Sequence, residues 1–165
     1  MSKAARKMPE GAVGFDGEGR LTFLGRPVVM VSRRGLALIQ SNLDGLLGER
    51  ATAMAMKRAG LTLGREAARR YRGSGREALE EFLAWLSLAG WFSRARVEEF
   101  GEEIVVRVWG SYAEEYPGAR GPVCHVVAGL LAGFLREKTG RKLLVREEEC
   151  VAAGAESCLF RARPV

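Results

Sequence analysis

This 165-residue chain is poor in the side chains that most catalysis and covalent cross-linking need, with one histidine, three cysteines and five prolines. With His125 as the sole histidine, and with neither a nucleophile elbow nor a phosphate-binding loop, no Ser–His–acid set or nucleotide site emerges. The paired acids Glu80-Glu81, Glu98-Glu99 and Glu114-Glu115 are sequence neighbours and therefore point to different faces of a helix or strand. They read as solvated surface, and no residue is assigned a catalytic role. Also missing is any apolar run near the roughly 18–20 residues that a membrane helix requires, and the opening MSKAARKMPEG has no apolar region behind its basic residues. A cytoplasmic location is expected. Thiols stay reduced there, and three cysteines cannot pair completely, so disulfides are the weaker reading of the thiols.

Charge is plentiful and skewed, with 26 basic against 20 acidic residues and a net +6. The basic residues are scattered, and the densest cluster, GREAARRYRGSGR, sets Arg65, Arg69, Arg72 and Arg76 at helical spacing. No nucleic-acid module accompanies this face, so nucleic acid is not the expected partner.

The apolar period changes several times along the chain. AVGFDGEGRLTFLGRPVVMVSR reads as short strands around an Asp16-Gly17 turn. From Leu36 to Tyr71 the period is helical, with interruptions near Gly48 and Gly60–Gly64 that imply two or three helices. GREALEEFLAWLSLAG carries a stripe of Leu79, Phe82, Leu83 and Leu86 and predicts a helix ending at Gly90. WFSRARVEEF and EEIVVRVWGSY, on either side of Gly101, form a hairpin signature. GPVCHVVAGLLAGFLREKTG reads as an amphipathic helix closed by Gly140, and KLLVREEEC with SCLFRAR as two strands around AAGAE. This order predicts an α+β domain in which a mainly antiparallel sheet packs with helices.

That layout gives the three cysteines a geometry. Cys150 falls near the end of one hairpin strand and Cys158 near the start of its partner, while Cys124 lies in the first turn of the preceding helix. The run Glu147-Glu148-Glu149 adds carboxylates. Three thiolates and one oxygen suit tetrahedral zinc, and a filled shell would make the metal structural; the alternative is three buried small hydrophobes beside a solvated strand end.

The segment PVCHVVAGLLAGFLREKTGRKLLVREEECVAAGAESCLFRAR resembles the terminal half of the 4-vinyl reductase domain family, which includes aromatic-responsive sensor domains and archaeal hydrocarbon-binding proteins. The shared pattern falls on Cys124, Glu147, Cys150, Gly154, Cys158 and Phe160. Fainter likeness in MKRAGLTLGREAARRY and VWGSYAEEY extends it upstream, so the resemblance implies a ligand-binding domain of this family over residues 25–165 after an N-terminal strand or hairpin extension, 1–24. It further implies zinc on Cys124, Glu147, Cys150 and Cys158. Glu147 and Cys150 have opposite parity on a regular strand, so a bulge is needed, or else Glu148 replaces Glu147.

The resemblance implies ligand sensing as well, in a fold shared with haem-based nitric-oxide sensors and Golgi trafficking subunits, with an apolar interior and a homodimer. Ligand-lining candidates are Phe82, Trp85, Trp109, Tyr112, Ala128, Ala132 and Phe134, between the 76–89 and 121–138 helices and the 91–112 hairpin. The implied ligand is a small apolar or aromatic molecule, and a separate signalling or DNA-binding protein would provide output. Phenol itself is not implied, because aromatic sensors hold it with a histidine and a tryptophan, and His125 lies outside that motif. The small residues Ala128, Gly129, Ala132 and Gly133 fit a pocket or close helix packing equally well. A lipid-holding scaffold and a reductase-like biosynthetic protein are the other readings.

Overall fold

The computed structural model describes residues 10–165; the first nine residues of the expected 1–24 extension lie outside it. Two compact units divide at Ser32/Arg33, eight residues beyond the boundary that the resemblance implies. The smaller unit is a three-stranded antiparallel meander of β1 (Val13–Phe15), β2 (Leu21–Phe23) and β3 (Arg26–Pro27). Its first turn is tied by Asp16, whose carboxylate accepts from the backbone N–H of Glu18 and of Arg20 at 3.0 and 2.9 Å. This is the local bonding that favours aspartate in turns.

The larger unit begins with two helices, α1 (Arg33–Leu47) and α2 (Glu49–Ala68). The break lies at Gly48 alone, where φ is +83°. The expected interruption at Gly60–Gly64 is absent, because both glycines sit inside a continuous α2 and serve a different purpose. They face α4 (His125–Thr139), which carries Gly129 and Gly133 at the same four-residue spacing. A Cβ at Gly60 or Gly64 would lie 2.2 or 2.1 Å from the carbonyl oxygens of Val126 and Leu130. A Cβ at Gly129 or Gly133 would lie 2.2 or 2.1 Å from those of Lys57 and Leu61. The two backbones therefore touch through four interlocked glycines. For this reason α4 is not amphipathic in place: every residue from Val126 to Leu135 is buried, one side against α2 and another toward the sheet.

α3 (Gly75–Leu88) leads into a four-stranded antiparallel sheet of β4 (Arg94–Phe100), β5 (Ile104–Trp109), β6 (Leu143–Glu149) and β7 (Cys158–Pro164), ordered β4-β5-β7-β6. The α+β class with an antiparallel sheet is thus as expected. Ile104, Val106, Val108, Val145, Phe160 and Ala162 are buried in the core with Leu79, Phe82, Leu83 and Leu86 of α3. Arginines and glutamates pair across the other face of the sheet: Arg107 with Glu98 and Glu149, and Arg161 and Arg163 each with Glu103 and Glu148. Two of the four arginines of the candidate basic face are also paired within the chain, Arg65 with Glu137 and Arg76 with Glu80. Among the described residues no helix is long and apolar enough to cross a membrane.

The helix contact makes a direct prediction. Gly133→Ala should destabilise the protein by about 1–3 kcal/mol or more, since the methyl meets backbone that cannot rotate away. Gly45→Ala, where a Cβ would meet nothing within 4 Å inside α1, should instead stabilise by up to about 1 kcal/mol. Thermal denaturation of the two variants checks this, and equal melting temperatures would contradict the interlocked contact.

Candidate metal centre

Three separate elements deliver four donors to one point. Cys124 caps the N-terminus of α4, Glu147 lies on β6, Cys150 follows its end, and Cys158 opens β7. Their ligand atoms all lie within 4.8 Å of one another. The three cysteines are 0–2% exposed and free of disulfides. The Cys124 and Cys158 sulfurs are 3.7 Å apart, and those of Cys158 and Cys150 are 4.0 Å apart. A disulfide needs about 2.05 Å. Zinc–sulfur bonds of about 2.3 Å at tetrahedral angles place sulfurs about 3.8 Å apart, which is the spacing seen.

The parity problem of Glu147 and Cys150 is solved by a bulge, the first of the two alternatives that the sequence left open. In the β6–β7 ladder Glu147 opposes Phe160 and Glu149 opposes Leu159, so Glu148 is an extra residue. The bulge lets Glu147 and Cys150 both point inward. Glu148 is held on the charged face by Arg161 at 2.9 Å and Arg163 at 3.3 Å, and Glu149 by Arg107 at 2.7 Å. Glu148, the substitute ligand, therefore stands outside the cluster.

Glu147 is itself asymmetric. Its Oε2 accepts from the Cys124 backbone N–H at 2.8 Å, whereas its Oε1 is buried and has no hydrogen-bond partner. A buried, unpartnered carboxylate oxygen is costly unless a cation meets it. Electrostatics repeat the point. Burial, followed by the neighbouring Cys150 charge, pushes the Glu147 carboxyl up to about 8. Burial likewise raises the Cys124 thiol, while hydrogen bonds from Cys124 and then Cys158 hold Cys150 far below the thiol range. Four acids so close in a desolvated site share little negative charge among themselves; a divalent cation would let all four ionise together. The donor set therefore fits zinc. His125 is half-buried beside Cys124 and is not one of the four clustered groups.

Two further residues brace the site and went unmarked in the sequence. Ser111 is buried, with its Oγ 3.2 Å from the Cys124 sulfur. Gln40, fully buried on α1, donates to the Val123 carbonyl at 2.8 Å, and the Tyr112 hydroxyl lies 3.0 Å from its Oε1 and 2.9 Å from the same carbonyl. A polar residue three positions from Ala37, on the same face of an amphipathic helix, was the available signal for Gln40, and the serine just after a strand in VWGSY was the one for Ser111.

The ligand-lining candidates divide. Phe82 and Phe134 stack with ring centres 4.1 Å apart, and Tyr71 meets both edge-on. Ala128 and Ala132 are buried on α4, Tyr112 is buried beside Trp91, and Trp85 is half-buried on α3. Trp109 departs from expectation. It shares strand parity with Arg107, on the charged face of the sheet, and its ring lies 4.2 Å from the Arg94 guanidinium. Gly129 and Gly133 belong to the contact with α2.

The family model of the 4-vinyl reductase domain matches residues 111–164 of this chain. An uncharacterized protein of Methanocaldococcus jannaschii is 41% identical over 44 residues, a segment amounting to 27% of either protein; the chain therefore spans about a quarter of that relative. The fold is similar to the phenol-responsive sensory domain of the transcription activator PoxR with phenol, with TM-score 0.77 and 20% identity over 94% of this chain and 86% of that one. It is also similar to a vinyl-4-reductase family protein from Methanocaldococcus jannaschii, with TM-score 0.61 and 17% identity over 84% of each chain. A third similar fold, at TM-score 0.55 and 12% identity over 81% of this chain and 95% of the other, is trafficking protein particle complex subunit 3 from Naegleria fowleri covalently bound to palmitic acid. The family match covers about a third of the chain and includes all four clustered donors, so the likeness to the 4-vinyl reductase domain falls on the segment that forms the candidate metal centre.

Proposed function

We propose that this chain is a zinc-stapled, small-molecule-binding sensor domain that regulates a separate output protein. The observation that carries it is the Cys124–Glu147–Cys150–Cys158 cluster, with tetrahedral sulfur spacing and one carboxylate oxygen left unpartnered. Zinc there would join the start of α4 to the β6–β7 hairpin. With four protein donors filling the shell no position stays open for a substrate, so the metal is structural rather than catalytic.

Sensing is supported by the fold shared with the phenol-responsive domain of PoxR and by the aromatic layer of α3 and α4. Ligand contacts are assigned to Phe82, Trp85, Tyr112, Ala128, Ala132 and Phe134. No histidine stands among them, so the ligand of this chain is an apolar or aromatic molecule held mainly by surface burial, at about 25 cal/mol per Å². Affinity should rise with ligand size more than with hydrogen-bonding capacity. The domain acts in the cytoplasm as a homodimer, for which the exposed Leu38, Ile39, Leu46 and Leu47 of α1 supply an apolar surface.

A lipid-holding scaffold is the second reading, favoured by the fold shared with the palmitate-bound trafficking subunit. All three thiols of this chain lie in the cluster, so a covalent acyl thioester would have to dismantle it. Any lipid here would be held without a covalent bond.

Native mass spectrometry of the protein as purified reads all three properties at once. The expected species is a dimer with one zinc per chain and an apolar small molecule; a metal-free monomer would overturn the proposal, and a copurified acyl lipid would shift it to the scaffold reading. Ligand identity at the metal is checked by elemental analysis of two variants. Glu147→Gln should lose most of its zinc and, with it, several kcal/mol of stability. Glu148→Gln, which removes only charge from the outer face, should keep the metal. The reverse result would move the ligand to Glu148.

A further inference from the structure

The metal shell meets its surroundings through hydrogen bonds of two kinds. Backbone amides make two of them: Val151 N–H to the Cys158 sulfur at 3.4 Å and Cys124 N–H to Glu147 at 2.8 Å. The other kind comes from one side chain. Ser111 lies two residues past the end of β5 at 1% exposure, with its Oγ 3.2 Å from the Cys124 sulfur.

The proton count fixes the direction of that bond. The Ser111 oxygen already accepts from the Ala113 backbone N–H at 3.3 Å, which leaves its single proton for another partner. A metal-bound Cys124 is a thiolate with no proton to give. The hydroxyl therefore donates to sulfur. Three thiolates and a carboxylate around a divalent ion carry a net charge of −2 in a site closed to water, so a donor aimed at one sulfur offsets part of that charge and holds its lone pairs in place. Groups of this kind commonly change metal affinity by roughly 10–100-fold when removed.

We propose that Ser111 is the positioning residue of this metal centre: its hydroxyl donates to the Cys124 thiolate and sets both the affinity of the shell for zinc and the electron-donating strength of that sulfur. The inference rests on the zinc reading and extends it to a residue outside the four ligands. Tyr112, the next residue along the chain, braces the other side of the same ligand through the Val123 carbonyl, so the corner after β5 grips Cys124 from two directions.

The test uses the full chain as wild type, Ser111→Ala and Ser111→Thr. Zinc affinity is read by competition with a chromophoric chelator, and sulfur donation by the thiolate-to-metal charge-transfer band of the cobalt-loaded protein. Ser111→Ala should bind zinc roughly 10–100-fold more weakly and shift the band to lower energy, while Ser111→Thr, which keeps the hydroxyl, restores both. A merely structural serine would not move the band. Should Ser111→Ala fail to fold, wild type loaded with an NMR-active cadmium isotope decides: the Ser111 hydroxyl proton should be protected from exchange and coupled to the metal, and a freely exchanging, uncoupled proton would overturn the proposal. Unchanged affinity and spectrum in Ser111→Ala would overturn it too. A wild type that binds neither zinc nor cobalt would instead overturn the underlying metal reading.

Discussion

Glu148 is one residue too many for the β6–β7 pairing, and that surplus decides where the four donors meet. On a regular strand Glu147 and Cys150 would face opposite ways. The bulge turns both inward, and the arginine ladder keeps Glu148 and Glu149 outward. Isolated surface ion pairs contribute little, but here Arg161 and Arg163 share both Glu103 and Glu148, and Arg107 on β5 reaches Glu98 of β4 and Glu149 of β6. The network spans the sheet where the hairpin must hold its irregular register.

Cys124 reaches the same point by a different constraint. It stands at the start of α4, and α4 is positioned along α2 by backbone contact through Gly60, Gly64, Gly129 and Gly133. Side chains at these positions would separate the helices and move the first turn of α4. Gln40 then anchors the residue before Cys124 from α1, with Tyr112 sharing the same carbonyl. Zinc would thus clip together parts that the protein has already brought near one another, and its binding free energy would add to folding rather than replace it.

Much of this was legible in the sequence because it follows from local periodicity. The antiparallel hairpins, the α3 stripe and the terminal helix read directly from alternation and from 3.6-residue spacing, and the clash of parity between Glu147 and Cys150 left two outcomes, a bulge or Glu148 as the ligand, between which the β6–β7 register decides. What was not legible is what depends on a partner far along the chain. Gly60 and Gly64 look like helix breakers until α4 is placed against them. Trp109 looks like core until the sheet assigns its face, and it belongs with Arg94 and Arg107 on the charged side. Ser111 carries little signal of its own; its role emerges only once Cys124 stands 3.2 Å away.

X-ray absorption at the zinc edge of the wild-type protein examines the central claim most directly, because it counts the atoms bound to the metal. Three sulfurs at about 2.3 Å and one oxygen at about 2.0–2.2 Å are the expected shell. A shell containing imidazole, which only His125 could supply, or one with fewer than three sulfurs, would contradict the convergence of Cys124, Glu147, Cys150 and Cys158 on a single zinc ion.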